Sequence, residues 1–259
     1  MNPLPGLQHK PNEGMSGARG PVKRLEWDSE FFGFPIARLI VSHINEQIMS
    51  QVLEEAQKEG TRCLYYEADS NDPVSIALAE ANGFKLVDVR MTLETASSSD
   101  LPPPLTRDIT VRKFREEEIE TLARIARKTS RVSRYHFDTN FPPDASERLY
   151  DVWLRNSCSG YADRVFVAEL EGGPVGFITC KVSQGEGRIV LVGVDDRFQR
   201  RGVGASLVDK ALSWFAGQGI QRVRVVTQGR NIESQRLYHA AGFNTVSVTL
   251  FYHRWFNDS

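Results

Sequence analysis

Cysteine is scarce, at three residues in 259, and Cys63, Cys158 and Cys180 stand far apart with no C-x-x-C pair among them. That spacing excludes a disulfide framework and a cysteine-built zinc centre, and it predicts a reducing, cytoplasmic setting with no bound metal. An excess of one charge is also missing, because 32 Lys and Arg face 33 Asp and Glu for a formal net charge of -1. Nucleic acids and anionic membranes select strongly basic surfaces, so neither is expected as a partner. No stretch approaches the ~18 apolar residues of a membrane span. What remains is an ordinary globular composition, 41% hydrophobic and 25% charged, long enough for one large domain or two small ones.

Two composition shifts divide the chain. Residues 1–23 carry Pro3, Pro5 and Pro11 among glycines and have no apolar stretch, so a disordered tail is expected there and not a signal peptide. At 96–107 the run ASSSDLPPP ends in three prolines, which cannot join a ladder or a helix interior, and it reads as a linker. An α/β module over 24–95 lies between them. Its strands are expected over 34–41, 62–67 and 84–93, and its helices over 46–59 and 73–82.

The domain from 108 to 259 opens with a short strand at 109–112 and helices at 116–128 and 145–155. Strands at 164–170 and 175–182 flank Glu171-Gly172-Gly173-Pro174 and form a hairpin, with a third strand at 189–194. Val203, Leu207, Val208, Ala211, Leu212 and Phe215 share one face of a helix over 203–218. A strand at 222–227, a helix at 232–241 ending on Gly242, and a strand at 243–255 complete the pattern. There is also an internal repeat. SIALAEANGFKLVDV, beginning at Ser75, aligns without gaps on SQRLYHAAGFNTVSV, beginning at Ser234, with seven of the fifteen positions identical. A shared helix-cap-strand design explains part of that agreement, and duplication of a half-domain explains all of it. Tyr238 has Ala79 as its counterpart, so chemistry carried by the tyrosine belongs to the second copy alone.

Gln199-Arg200-Arg201-Gly202-Val203-Gly204 falls directly after an apolar strand and directly before the long amphipathic helix. A helix start offers unsatisfied N–H groups and the positive end of the macrodipole, and Gly202 and Gly204 let an anion approach the main chain. The site suits a pyrophosphate, with Arg200 and Arg201 adding charge and one of them expected to face solvent. The structural alternative is a glycine-rich turn that merely starts a helix. A dinucleotide fingerprint would need G-x-G-x-x-G in a parallel β-α-β unit, whereas this glycine pair stands alone after antiparallel hairpins.

The spacing Q-x-x-G-x-G after V-x-V, here Val192 and Val194, resembles the acetyl-CoA signature of the GCN5-related N-acetyltransferase (GNAT) superfamily. The order of elements from 109 to 255 resembles that fold. The resemblance implies an α/β protein with a mixed, mainly antiparallel sheet flanked by helices, preceded here by a truncated GNAT-like module. It implies acetyl-CoA as co-substrate, bound by Gln199, Arg200, Arg201, Gly202, Val203 and Gly204. The strands at 189–194 and 222–227 would splay so that the pantetheine arm pairs with the main chain of Val192 and Val194, whose side chains remain core.

Asn231 stands where an N-cap residue stands, and Tyr238 lies seven residues on, two turns along the same face and roughly 10 Å away at ~1.5 Å per residue. A phenol of pKa ~10 can protonate a leaving thiolate of pKa ~8.5. N-x-x-x-x-x-L-Y before Gly-Phe resembles the superfamily's acid motif, which makes Tyr238 the expected general acid and Asn231 a cofactor contact. A core tyrosine is the plain alternative. No carboxylate interrupts 189–194, so the base is unassigned, with Glu67, Asp69, His136 and Asp138 as candidates by type and position only.

LEWDSEFFG beginning at Leu25, Ser133-Arg134-Tyr135, Pro143-Asp144-Ala145-Ser146, Val225-Val226-Thr227-Gln228 and Arg236-Leu237-Tyr238 resemble the nucleotide-sugar branch of that superfamily, the TDP-fucosamine acetyltransferases. The likeness runs from about residue 25 to 255. It implies acetylation of the amine of a nucleotide-activated amino-deoxy sugar, with Arg134 and Tyr135 in a basic, aromatic loop facing that acceptor. The Arg-Arg before Gly202 and the tail depart from that branch and leave the sugar open. A protein or small-molecule amine as acceptor, and a non-catalytic acyl-CoA-binding module, are the competing expectations. A homodimer is compatible with each of them.

Overall fold

The computed structural model describes residues 20–97 and 108–256, so the expected tail as far as residue 19, and the expected linker from residue 98, lie outside the described residues. The first part of the chain runs β1 (Val22–Arg24), α1 (Glu26–Phe32), β2 (Ile36–Leu39), α2 (Glu46–Lys58), β3 (Cys63–Asp69), α3 (Pro73–Ala81) and β4 (Lys85–Ala96). It continues with β5 (Thr110–Lys113), α4 (Ile119–Thr129), α5 (Arg134–Phe137), α6 (Ala145–Asn156), β6 (Arg164–Leu170), β7 (Gly173–Ser183), β8 (Glu186–Val194), α7 (Val203–Gly217), β9 (Arg222–Gln228), α8 (Ile232–Ala240) and β10 (Asn244–Trp255).

Two of these elements depart from the sequence pattern. Strand β1 begins at Val22, inside the expected tail, and pairs antiparallel with β2 from Val22↔Leu39 to Arg24↔Ala37. Helix α1 has no side-chain cap and ends on Gly33 in the left-handed region. Its anchor is Ser29, whose hydroxyl donates to the Leu25 carbonyl at 2.7 Å and accepts from the Ile36 amide at 2.9 Å. That second bond joins a helix to a strand, so no local periodicity announces it.

The described residues fall into two compact units. One unit holds residues 20–90, 140–142 and 248–256, and the other holds 91–97, 108–139 and 143–247. Strands β4 and β10, twelve residues each, contribute residues to both. In the first unit, β2 runs parallel to β3, and β3 runs antiparallel to the second half of β10, from Asp69↔Thr249 to Cys63↔Trp255. Its core joins Met49, Val52 and Ala56 of α2 to Leu64, Tyr66 and Ala68 of β3 and to Tyr252.

In the second unit, β5, β6, β7 and β8 form an antiparallel succession, and β9 adds to β8 in parallel. Val203, Leu207, Val208, Ala211, Leu212 and Phe215 of α7 are all buried against this sheet, as their spacing predicts. Each large apolar side chain among them contributes roughly 1.5–3 kcal/mol. A β-carbon at Gly176 would meet Val203 and Leu207 of α7, whereas one at Gly193 would meet Phe177 and Ile125 of α4. Because Phe177 is the neighbour of Gly176 on β7 and successive residues face opposite ways, α7 and α4 cover opposite faces of the sheet.

The repeat persists in hydrogen-bonding detail. Both units carry the succession strand, helix, strand, helix, strand, as β2-α2-β3-α3-β4 and β8-α7-β9-α8-β10. Asp72 caps α3 by accepting from the Ser75 amide at 3.0 Å, and Asn231 caps α8 by accepting from the Ser234 amide at 3.1 Å. The Phe84 amide donates to the Ala79 carbonyl at 3.1 Å, and the Phe243 amide donates to the Tyr238 carbonyl at 3.0 Å. Convergent helix caps would not reproduce the parallel strand pair before each helix as well, which favours duplication.

Candidate active site

Strands β8 and β9 pair only at Gly187↔Val223, Arg188↔Arg224 and Ile189↔Val225. Beyond Ile189, β8 continues to Val194 and β9 to Gln228 without pairing to each other. Two facing strand edges in that condition present unused N–H and C=O groups, which can accept an added extended segment. The divergence begins at an irregularity. On β7, Thr179 pairs with Leu191 and Cys180 pairs with Ile189, so Val190 is an extra residue. Such a bulge reverses which side chains face which side. Ile189 belongs to the core under α7, and after the bulge it is Val192 and Val194 that pack against that same core. Their side chains are structural, as expected, and their backbones lie on the diverging stretch.

Strand β8 leads to Asp195, whose amide donates to the Val175 carbonyl at 2.8 Å. The Asp195 carboxylate accepts from the Arg197 amide, Nε and Nη2, each at 3.1 Å. Those bonds from Arg197 hold its pKa down at about 2. Gln199 folds back onto the same strand end, its Nε2 donating to the Asp196 carboxylate at 3.2 Å and to the Val194 carbonyl at 3.4 Å. Arg200 and Gly202 both take positive φ, 60° and 84°. Gly202 is thereby the N-cap of α7, and it supplies no side-chain acceptor for the first N–H groups. No acidic residue occupies the first turn either, so the positive end of a fifteen-residue helix is left for an external anion. Gly204 sits where α8 crosses, because a β-carbon there would come within 3.2 Å of Leu237. Val203 is core.

The two arginines of the loop were expected to divide, one facing an anion and one facing solvent. Instead each meets a surface carboxylate, Arg200 with Glu233 of α8 at 2.5 Å and Arg201 with Glu171 of the β6–β7 turn at 2.7 Å. All four side chains are well exposed, so these pairs contribute little to stability.

Helix α8 buries one residue, Tyr238, at 4% exposure, within the core under α7 and 5.6 Å from the Phe243 ring. Burial among apolar groups pushes its phenol pKa well above the ordinary value, so the group is protonated throughout the neutral range. Its hydroxyl makes no hydrogen bond among the described residues. At the head of the same helix Asn231 spends Oδ1 on its cap and leaves Nδ2 as a donor. The first copy of the repeat keeps the helix cap, through Asp72, but neither the bare helix start nor the tyrosine. There Asn45 caps α2 by accepting from the Ile48 amide, the Ser75 hydroxyl accepts from the Ile44 amide at 2.9 Å, and Ala79 stands in place of the tyrosine.

Arg134 and Tyr135, expected to face an acceptor, are 9% and 3% exposed. The Arg134 guanidinium donates to the Tyr135 hydroxyl at 2.6 Å and lies 4.5 Å from its ring centroid. The one-turn helix α5 explains this, because it turns Arg134 and Tyr135 inward and Phe137 outward at 54% exposure. Arg230, immediately before Asn231, lays its guanidinium 4.0 Å from the Phe137 ring centroid. Sequence reasoning missed Arg230, as it missed Asp195 and Thr179, since each is defined by a partner distant in sequence or by main-chain geometry. Among the described residues no cluster of His, Cys, Asp and Glu could hold a metal, and no helix is long and apolar enough to cross a membrane.

Residues 130–243 match the acetyltransferase (GNAT) family profile. The chain is 27% identical over 239 residues to dTDP-fucosamine acetyltransferase of Escherichia coli O6:H1, covering 91% of this chain and 99% of that protein. It is 26% identical over 138 residues to the spore coat polysaccharide biosynthesis protein SpsD of Bacillus subtilis, covering 53% of this chain and 48% of that one. Among solved structures, a GCN5-related N-acetyltransferase from Sphaerobacter thermophilus shares the fold with a TM-score of 0.63 at 16% identity, over 90% of this chain and 76% of its own. The family match encloses the diverging strands, the glycine loop and the tyrosine helix, so residues 130–243 are those of a GNAT-family acetyltransferase domain, within a chain that shares the GNAT fold.

Proposed function

We propose that the protein moves acetyl from acetyl-CoA to the amine of a nucleotide-activated amino-deoxy sugar by direct attack, with Tyr238 as general acid. The observation that carries the acceptor is the reach of the similarity to dTDP-fucosamine acetyltransferase, which takes in nearly the whole of both chains, well beyond the family-matched stretch. The diverging edges of β8 and β9 support the rest.

In this reading the CoA pyrophosphate meets the bare N-terminus of α7 at Gly202, Val203 and Gly204, with Gln199 holding the loop. Arg200 and Arg201 turn from Glu233 and Glu171 toward the phosphates. The pantetheine arm pairs as an added strand with the main chain of Val192 and Val194, and Asn231 Nδ2 donates to one of its carbonyls. The thioester carbonyl accepts from a β8 amide, which stabilises the oxyanion as the amine adds. The C–N bond forms, the C–S bond breaks, the thiolate takes the Tyr238 proton, the new amide nitrogen gives its extra proton to solvent, and a proton from solvent restores the Tyr238 phenol. On the acceptor side, Phe137 and Arg230 supply a stacking face and a cation for a nucleotide, in place of the buried Arg134 and Tyr135.

The test is free-thiol release from acetyl-CoA with a panel of TDP- and UDP-amino sugars. Release with at least one of them, absent with the corresponding hydroxy sugar, is the expected result. Release with peptides or polyamines alone would overturn the acceptor assignment, and no release with any amine would overturn the catalytic one.

A further inference from the structure

The bulge at Val190 is locked by a side chain. Bulges leave a main-chain group without its ladder partner. Here the Leu191 amide, the first after the extra residue, donates at 3.0 Å to the hydroxyl of Thr179, its register partner on β7. Thr179 has no solvent exposure, so water cannot replace that acceptor. Its neighbours Ile178 and Cys180 both face the core under α7, which places Thr179 on the opposite face with Leu191. The bond therefore fixes the single point where β8 changes register, and the pairing with β9 stops at Ile189, one residue before the bulge.

We infer that Thr179 is a positioning residue for the acyl donor. By holding the Leu191 amide it keeps β8 bulged, and the bulge keeps the edge of Val192 and Val194 turned away from β9 and open to pantetheine. Without that acceptor, β8 gains by sliding into regular register with β7. The slide reverses the side-chain parity beyond Val190 and closes the diverging stretch. The inference rests on the proposed placement of pantetheine against β8. It assigns Thr179 no contact with acetyl-CoA.

The experiment uses the full chain with Thr179→Val, which keeps shape and β-branching but removes the hydroxyl, and with Thr179→Ser, which keeps the hydroxyl. Calorimetry measures binding of acetyl-CoA and of 3′,5′-ADP, a fragment that reaches only the pyrophosphate loop. Thr179→Val is expected to weaken acetyl-CoA about tenfold while 3′,5′-ADP binds as in the wild type, a split that a general loss of stability would not produce. Thr179→Ser is expected to restore acetyl-CoA affinity to within about twofold, with a lower Tm.

Unchanged acetyl-CoA affinity in Thr179→Val would overturn the inference, as would an equal loss for both ligands. Should Thr179→Val not fold, Thr179→Ser decides alone, because a tenfold loss of acetyl-CoA affinity with the hydroxyl present would be incompatible with the lock. If the wild type itself fails to bind acetyl-CoA, it is the placement of pantetheine that fails; if the wild type binds and both variants match it, only the role of Thr179 fails.

Discussion

Replacing Tyr238 with Phe should lower activity sharply and leave stability nearly unchanged. The residue is buried at 4% exposure, whereas its hydroxyl makes no hydrogen bond among the described residues and is not one of the polar atoms sealed from solvent. Removing a hydroxyl that keeps contact with solvent changes stability by less than ~1 kcal/mol, and each kcal/mol shifts Tm by roughly 2–4 °C in a chain of this size. Loss of general acid help instead lowers the rate by ~10² to 10⁴, which is ~3–5 kcal/mol of barrier. Because the interaction is made only as sulfur leaves, kcat and kcat/KM should fall together with KM for acetyl-CoA unchanged. Thiol release under saturating acetyl-CoA and differential scanning fluorimetry measure the two effects on one sample. Turnover within about threefold of the wild type would refute the acid role. A Tm several degrees lower would show that the hydroxyl is satisfied in the folded protein and would remove the basis for its raised pKa.

The same burial sets an alkaline limit. A phenol whose folded pKa lies above its unfolded value of ~10 contributes stability that is complete below pH ~10 and is lost as pH rises toward the folded value. Urea unfolding of the wild type should therefore show falling stability above pH ~10, and Tyr238→Phe should flatten that limb. Asp195 acts at the other end of the scale. Its carboxyl is held down to about 2 in the folded chain, so its contribution is present above pH ~4 and is lost as pH falls through about 2. Asp195→Asn should be less stable at pH 7 and less sensitive to acid between pH 4 and 2, as followed by circular dichroism. Gly204→Val should raise KM for acetyl-CoA about tenfold or more, because its β-carbon already comes within 3.2 Å of Leu237 and the branches must displace α8. An unchanged KM would show that the approach of α7 and α8 does not shape the donor site. Arg230→Ala should raise KM for a nucleotide-sugar acceptor several-fold and leave KM for acetyl-CoA alone, and a rise confined to acetyl-CoA would place Arg230 on the donor side.

The sequence by itself determined the elements that rest on local chemistry. The apolar spacing from Val203 to Phe215, the hairpin at Glu171-Gly172, the caps at Asn231 and Gly242 and the glycine pair before α7 are each written in fewer than twenty consecutive residues. The structure keeps those elements within a few residues of their expected bounds. The repeat was legible for the same reason, being two short local patterns set side by side. Tertiary structure alone decided where the units divide, because one long strand can contribute residues to both units and only pairing with β3 assigns the end of β10 to the N-terminal unit. It also decided that Arg134 and Tyr135 turn inward while Phe137 meets Arg230, since a one-turn helix has no periodicity to read. The point where β8 leaves β9 belongs to the same class. It depends on one extra residue whose amide is taken by a hydroxyl twelve positions earlier, and nothing in the run of valines around it marks which one will bulge.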